Sequence, residues 1–224
     1  MNGTFSKNTL TLAIAAALIS PLATAQDLAL EEVIVTAQKR EQTLTDVPAA
    51  VSALSGELVS EYLSGAQDIR ALAARVPGLN IETSNGRTQA RFYLRGLGNI
   101  DFDVNANQPV ALIYDDVSLE NNTTRSFPLF DIERIEVLKG PQGSLFGRNT
   151  NAGAITIMSV RPSEERNGYF ATSYGSRGTF TAEGASNFSL SDTFHMRAAL
   201  KYQERDEWID NTVNGPGDDF GGFD

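Results

Sequence analysis

Apolar and polar residues alternate strictly along the last part of the chain, after Pro162. The runs from Phe180 to Leu190 and from Phe194 to Tyr202 each place apolar residues on one face of a strand and polar or small residues on the other. Ser191-Asp192 between the two runs is typical of a tight turn. A membrane β-barrel selects this alternation, and a soluble antiparallel sheet with one solvated face selects it too. The pattern predicts strands and leaves both settings open.

The preceding segment, residues 47–162, has mixed periodicity. Apolar residues recur at helical spacing from Ile69 to Val76, with Asp68 before them and Pro77 as a stop signal. Short apolar runs bounded by turn-forming residues then predict a strand and a second pair of strands. These runs are Leu79–Glu82, Ala90–Arg95 and Val110–Tyr114. The sequence thus predicts a small α+β globule.

The N-terminal 25 residues have the layout of a cleavable export signal. Lys7 precedes an uncharged apolar run from Leu10 to Leu22, and the small-residue triplet Ala23-Thr24-Ala25 follows it. A transmembrane anchor is the alternative, but this run is shorter than the roughly 20 residues that a spanning helix needs. We expect cleavage after Ala25.

The linker between the signal and the globule is polar apart from one β-prone island, Val33-Ile34-Val35. The island has no second apolar run nearby to pair with, and it lies outside the globule of residues 47–162. It could be an ordinary first strand, which periodicity alone favours, or an extended segment that adds to the sheet edge of a partner.

Composition and charge exclude several classes of protein. Removal of Lys7 with the signal takes the net charge from -10 to -11, and so acidic a chain is a poor candidate for binding nucleic acid through phosphates. The chain has no cysteine, so its stability cannot come from a disulfide framework. No later stretch is long and apolar enough for a spanning helix, so any membrane insertion would use β-strands.

Candidate chemistry is sparse. His195 is the only histidine, which excludes a multi-histidine metal site and leaves no credible catalytic triad. The glycine-rich segment Gly140–Asn149 lacks the Gly-Lys-Ser/Thr ending of a phosphate-binding loop. We expect its glycines to form turns between strands at Ile135–Leu138 and Ala154–Ile157. The sequence therefore predicts no enzyme, no catalytic residue, no metal site and no cofactor.

Several motifs, in order along the chain, resemble those of TonB-dependent outer-membrane receptors. The longest is Ile132–Asn149, which continues through Ala152–Ile157. Shorter matches are Asp46-Val47-Pro48, Leu94–Gly98 and Val110–Val117. The island and its flanks are similar to the TonB box of this family, in residues Glu32, Val33, Ile34, Val35, Thr36 and Ala37.

The resemblance implies an α+β plug domain followed by the first antiparallel strands of a transmembrane β-barrel. The domains would be a signal peptide (1–25), a TonB-box and linker segment (26–46), the plug (47–162) and the N-terminal part of the barrel (163–224). The family's barrel has about 22 strands, whereas the chain after residue 167 has room for about three. We therefore expect a fragment or a truncated gene product, with the function belonging to its full-length parent.

That function would be TonB-powered uptake of a scarce ligand across the outer membrane of a Gram-negative bacterium. The ligand would be a ferric siderophore, with haem, cobalamin or an oligosaccharide as alternatives. The implied partners are TonB with its inner-membrane energising complex, outer-membrane lipid and the small-molecule ligand, but no nucleic acid. A stand-alone plug that acts as a periplasmic interaction module is an alternative from another class.

Two kinds of site follow from the resemblance. Arg95 and Arg148 match plug arginines that face acidic residues on the inner barrel wall, where they would form a reversible latch; the alternative is that both are solvated surface residues. Ligand would meet loops at the plug apex, Asn99–Gln108 and Glu120–Phe127, together with extracellular barrel loops. The individual ligand-binding residues are not identified by the sequence.

Overall fold

The computed structural model describes residues 33–36, 39–55, 58, 59, 61, 68–83, 89–101, 103 and 106–206. The predicted signal peptide lies outside these residues, as do Glu32 and Ala37 of the predicted TonB box. Within the described part, no helix combines the length and apolar character needed to cross a bilayer.

Strands dominate the described residues, and the helical segments are short. The strands are β1 (Ile34–Val35), β2 (Gln42–Thr43), β3 (Ala50–Ser55), β4 (Leu79–Glu82), β5 (Arg91–Leu94), β6 (Val110–Tyr114), β7 (Val117–Ser118), β8 (Ile132–Lys139), β9 (Gly153–Ser159), β10 (Gly168–Tyr174), β11 (Phe180–Ser191) and β12 (Phe194–Glu204). The 3₁₀ helices are Leu44–Asp46, Ile69–Ala74 and Asn122–Thr124, and α1 is Gly143–Phe146.

A five-stranded sheet in the order β3-β8-β9-β6-β7 forms the centre of the plug. Strands β6 and β9 are parallel, and the other neighbours are antiparallel. The middle strands are rich in Val, Ile and Leu and are buried on both faces, as expected for central strands. Fully buried side chains of the main core include Ile69, Leu72, Phe92, Leu94, Leu112, Ile135, Ile155 and Ile157.

The predicted helix from Ile69 is confirmed in position, but it is the tighter 3₁₀ form. The Asp68 side chain caps it by accepting a hydrogen bond from the Arg70 backbone N–H at 2.9 Å. Ile69 and Leu72, one turn of a 3₁₀ helix apart, are both fully buried. The short length before Pro77 leaves little room for a regular α-helix.

The prediction that Ala90–Arg95 and Val110–Tyr114 form a pair of strands is wrong in its pairing, although both strands exist. β5 is antiparallel to β4, whereas β6 pairs with β9 and β7 in the central sheet. The physical reason is burial: β6 is apolar on both faces, and its first four residues are all buried. A strand of that kind is most stable between other strands, where both faces are covered.

The glycine-rich segment connects β8 to β9 as predicted, and these two strands are antiparallel neighbours in the sheet. Gly153 is the first residue of β9 and has a φ of +150°, a backbone conformation that residues other than glycine rarely adopt. A Cβ atom at Gly153 would lie 2.2 Å from the carbonyl oxygen of Leu138. The β8–β9 contact therefore requires glycine at this position.

The last described strands form a separate sheet in the order β10-β11-β12. The predicted hairpin is confirmed, with Asp192-Thr193 between β11 and β12. Its polar face lies on the plug, because Arg197 and Lys201 both bond to plug atoms. Its apolar face is exposed, including Phe188, Phe194, Met196, Leu200 and Tyr202. The polar side chains of this sheet thus face the plug while its apolar side chains are exposed, which is the orientation expected of strands in a membrane β-barrel wall.

Candidate functional site

The Val33–Thr36 segment is docked on the plug. Ile34 and Val35 form strand β1, which pairs in antiparallel register with Thr43 and Gln42 of β2. Val35 is fully buried and packs in a cluster with Val47 and Leu138. The sequence-based expectation that this island lies outside the globule without a pairing partner is therefore wrong. Its partner is a polar dipeptide of low hydrophobicity, which an apolar pattern does not reveal.

The register decides which backbone groups of β1 are free. The Leu44 N–H donates to the Val33 carbonyl at 2.9 Å, so Val33 and Leu44 form a hydrogen-bonded pair. The next pair, Ile34 and Thr43, is then non-hydrogen-bonded, because the two types alternate in antiparallel strands. The N–H and C=O of Ile34 consequently point away from β2. The N–H of Thr36 lies along the same outer edge, whereas its carbonyl accepts a hydrogen bond from the Lys39 N–H at 2.7 Å in the turn to β2.

A buried carboxylate meets this outer edge. Glu136 of β8 is fully buried, and its Oε1 accepts a hydrogen bond from the Thr36 N–H at 2.7 Å. The Thr36 hydroxyl lies 3.2 Å from the same oxygen, and Arg134 Nε donates to it at 3.2 Å. Arg134 Nη2 also donates to the Thr36 hydroxyl at 3.3 Å. The sequence pattern does not predict this network, although Glu136 is a charged residue within an apolar run of β8 and is a signal that could have pointed to it.

An open cleft of about 480 Å³ adjoins the docked segment. Thr36 and Arg134 line it, together with the turn residues Lys39, Arg40 and Glu41. The outer edge of β1 is therefore next to space that a partner could enter.

The two predicted latch arginines are both on the plug surface. Arg95 follows β5 with φ of +52°, and its backbone N–H donates to the Gly78 carbonyl at 2.8 Å. Burial is the main cause that lowers the pKa of Lys139, and the positive charge of Arg95 lowers it further. Arg95 and Lys139 therefore lie within electrostatic range of each other. Arg148 is 74% exposed and pairs with Glu120 of the plug, with 3.0 Å between Nε and Oε1. The described structure does not bring the two arginines together, and their latch role stays a prediction.

The described residues contain a different ion pair between plug and barrel sheet. Asp131, just before β8, forms a bidentate pair with Arg197 of β12, with 2.7 Å between Oδ2 and Nε. Both side chains are at least nine-tenths buried, and Asn187 of β11 accepts a further bond from Arg197 at 3.1 Å. Loss of one partner from a buried pair costs about 3–5 kcal/mol, because a charge is left uncompensated. This pair, with its acid just before β8 and its arginine in β12, is separate from the predicted latch at Arg95 and Arg148.

The two predicted apex loops are held together. The side chain of Asn122 donates to the Asp103 carbonyl at 3.3 Å, which joins the loop after β5 to the loop after β7. Arg125 is fully buried, donates from Nε to the Leu119 carbonyl at 3.0 Å, and has a pKa lowered to about 10 by burial. Gln108, Asn122 and Arg125 each keep a buried polar atom without a hydrogen-bond partner among the described residues. Most buried polar groups in proteins are paired, so these three side chains stand out among the described residues of the two loops.

Comparison with known proteins places this geometry in a family. Residues 43–154 match the family model of the TonB-dependent receptor plug domain. The chain is 30% identical to the vitamin B12 transporter BtuB of Vibrio vulnificus, over 76% of this chain and 27% of that protein. It is 33% identical to the pesticin receptor of Yersinia pestis, over 80% of this chain and 26% of that protein.

Solved structures have the same fold. The ferric yersiniabactin uptake receptor FyuA from Yersinia pestis superposes with a TM-score of 0.70 at 27% identity, over 78% of this chain and 27% of that chain. The ferripyoverdine receptor of Pseudomonas aeruginosa, at 20% identity and a TM-score of 0.63, shares the fold. The chain spans about a quarter of the length of these relatives. It belongs to the TonB-dependent receptors, a family of outer-membrane transport receptors of Gram-negative bacteria that are not enzymes.

Proposed function

We propose that the receptor containing this chain takes up a scarce ligand across the outer membrane with energy supplied by TonB. The observation that carries this proposal is the plug sheet with the polar face of a β-sheet packed on it through Asp131 and Arg197. A stand-alone periplasmic module is less well supported, because it would have no use for a sheet whose apolar face is exposed.

The proposed contact with TonB is the segment Glu32–Ala37. Among its described residues, β1 has a backbone edge that faces away from β2, and such an edge can accept a strand from a partner. Backbone hydrogen bonds then supply the affinity, and little side-chain specificity is needed. TonB and its inner-membrane energising complex are thus the proposed partners.

The proposed ligand is a ferric siderophore. Support comes from the similarity to the ferric yersiniabactin uptake receptor, which extends over 78% of this chain. The similarity to a vitamin B12 transporter makes cobalamin the main alternative, and haem or an oligosaccharide would suit the same architecture. The joined loops that contain Asp103 and Asn122 are the proposed plug surface for the ligand.

Uptake assays test the ligand and the energy source together. Cells that express the receptor would be given ferric yersiniabactin, ferripyoverdine or cyanocobalamin, each radiolabelled, with and without a functional TonB. We expect accumulation of a ferric siderophore only in cells with TonB. Accumulation of cyanocobalamin alone would replace the siderophore with cobalamin, and accumulation that is independent of TonB would contradict the energy source.

We also propose that Arg95 and Arg148 contact acidic residues of the barrel wall and fasten the plug. Besides burial, the positive charge of Arg95 helps to lower the pKa of Lys139, and an acidic wall would offset the positive charge of both residues. The double variant Arg95→Ala, Arg148→Ala is expected to insert normally but to admit large antibiotics more readily, because its plug seats poorly. Growth inhibition by vancomycin measures this, with Arg177→Ala on the β10–β11 loop as a control. Unchanged sensitivity and unchanged uptake would argue for plain surface arginines.

A further inference from the structure

We propose that Glu136, supported by Arg134, is a positioning residue that keeps the Val33–Thr36 segment docked and competes with TonB for its outer backbone edge. This inference rests on the proposed TonB-binding role of the segment, and it adds the group that controls access to that segment.

The competition follows from the direction of the backbone groups. A strand that adds along the whole outer edge of the Val33–Thr36 segment uses the N–H of Ile34 and, two residues on, the N–H of Thr36. The Thr36 N–H is already donated to Glu136 Oε1 at 2.7 Å. One N–H cannot make two good hydrogen bonds in different directions, so the partner strand and the carboxylate exclude each other at Thr36.

The strength of this hold comes from charge and burial. Glu136 Oε1 receives the Thr36 N–H and Arg134 Nε, and it lies within bonding distance of the Thr36 hydroxyl. Hydrogen bonds to an ionised group in a buried site are stronger than neutral ones. The β1–β2 pairing itself covers only two residues in each strand. Glu136 is therefore a main determinant of how often the segment leaves the plug.

The docked fraction sets the apparent affinity for TonB. A TonB strand that needs the Thr36 N–H binds more weakly in proportion to the fraction of receptors in which that N–H is released from Glu136. Loss of the Glu136 contact should thus raise both the exposure of the segment and its affinity for TonB by a similar factor.

A thiol at position 35 reports the release directly. The chain contains no cysteine, and Val35 is fully buried when docked. In the receptor with Val35→Cys, Glu136→Leu is expected to raise the rate of maleimide labelling by roughly tenfold or more. This factor corresponds to the loss of a hydrogen bond to a charged group. Glu136→Gln, which keeps the shape but not the charge, should give a smaller increase and remains informative if the leucine variant folds poorly.

The matched control is Glu133→Gln, which removes a carboxylate from the same strand and the same Arg134 without touching Thr36. It should leave labelling nearly unchanged. Binding of the purified TonB carboxy-terminal domain, measured by titration without the Val35 substitution, should tighten in the Glu136 variants and not in the control. The proposed competition would be overturned if neither Glu136 variant changes the labelling rate, or if the labelling rate rises without tighter TonB binding. Absence of TonB binding to every variant, even those with faster labelling, would overturn the proposed TonB role itself.

Discussion

Replacement of Ile34 by proline is expected to abolish energised uptake while leaving ligand binding at the cell surface nearly unchanged. Proline removes the N–H of Ile34, which points away from β2 and would pair with a TonB strand. The hydrogen-bonded pairs on either side, including Val33 with Leu44, keep their donors. The docked hairpin should therefore survive.

The measurement compares ligand binding at low temperature with energy-dependent accumulation, for wild type and Ile34→Pro. Ile34→Val serves as the control, because it keeps the N–H, the β-propensity and most of the side-chain shape. Ile34→Val should change neither ligand binding nor energy-dependent accumulation. Accumulation that survives the proline would show that the segment is an ordinary linker and that the TonB-box assignment is wrong.

The second large effect is expected at Gly153. Alanine there would combine a strained φ of +150° with a Cβ atom 2.2 Å from the Leu138 carbonyl oxygen and 2.7 Å from Leu94 Cδ1. Because the first of these contacts is with backbone, the strand pair β8–β9 must shift to relieve it. We expect a loss of roughly 3 kcal/mol or more in the free energy of unfolding, as overpacking and strained backbone add.

Equilibrium unfolding in urea of the purified chain measures this loss. Gly143→Ala is the matched control, since the nearest atom to its added Cβ is the Thr150 hydroxyl at 4.0 Å and Gly143 lies in α1. That substitution should be neutral or slightly stabilising, because alanine favours a helix over glycine. Equal midpoints for both variants would mean that the β8–β9 contact adjusts without cost.

Local patterns in the sequence predicted the elements that depend on neighbouring residues. The β11–β12 hairpin followed from its period of two, and the cap at Asp68 followed from its position before Ile69. The resemblance supplied the plug fold and its order along the chain, which residues 43–154 confirm. Each of these predictions depends on residues that are close together in the chain or on a long matching motif.

Contacts between distant residues were out of reach of the same patterns. Thr36 and Glu136 are 100 residues apart in the chain, and Asp131 and Arg197 are 66 apart. Nothing local distinguishes Asp131 from other acidic residues near a strand. The Asp131–Arg197 ion pair was therefore not predicted. The pairing of β6 with β9 was also missed, because β7 and β8 lie between these two strands in the chain.

The position of β3 determines which part of the plug unfolds first under a pulling force. β3 is the first strand of the central sheet in the chain and lies at its edge, beside β8 alone. A pulling force applied at Val33 therefore loads the short β1–β2 hairpin first and β3 next. Peeling β3 away breaks its bonds to β8 and leaves β8, β9, β6 and β7 paired in their original order. The N-terminal end of the plug can thus yield under load while the core behind it resists.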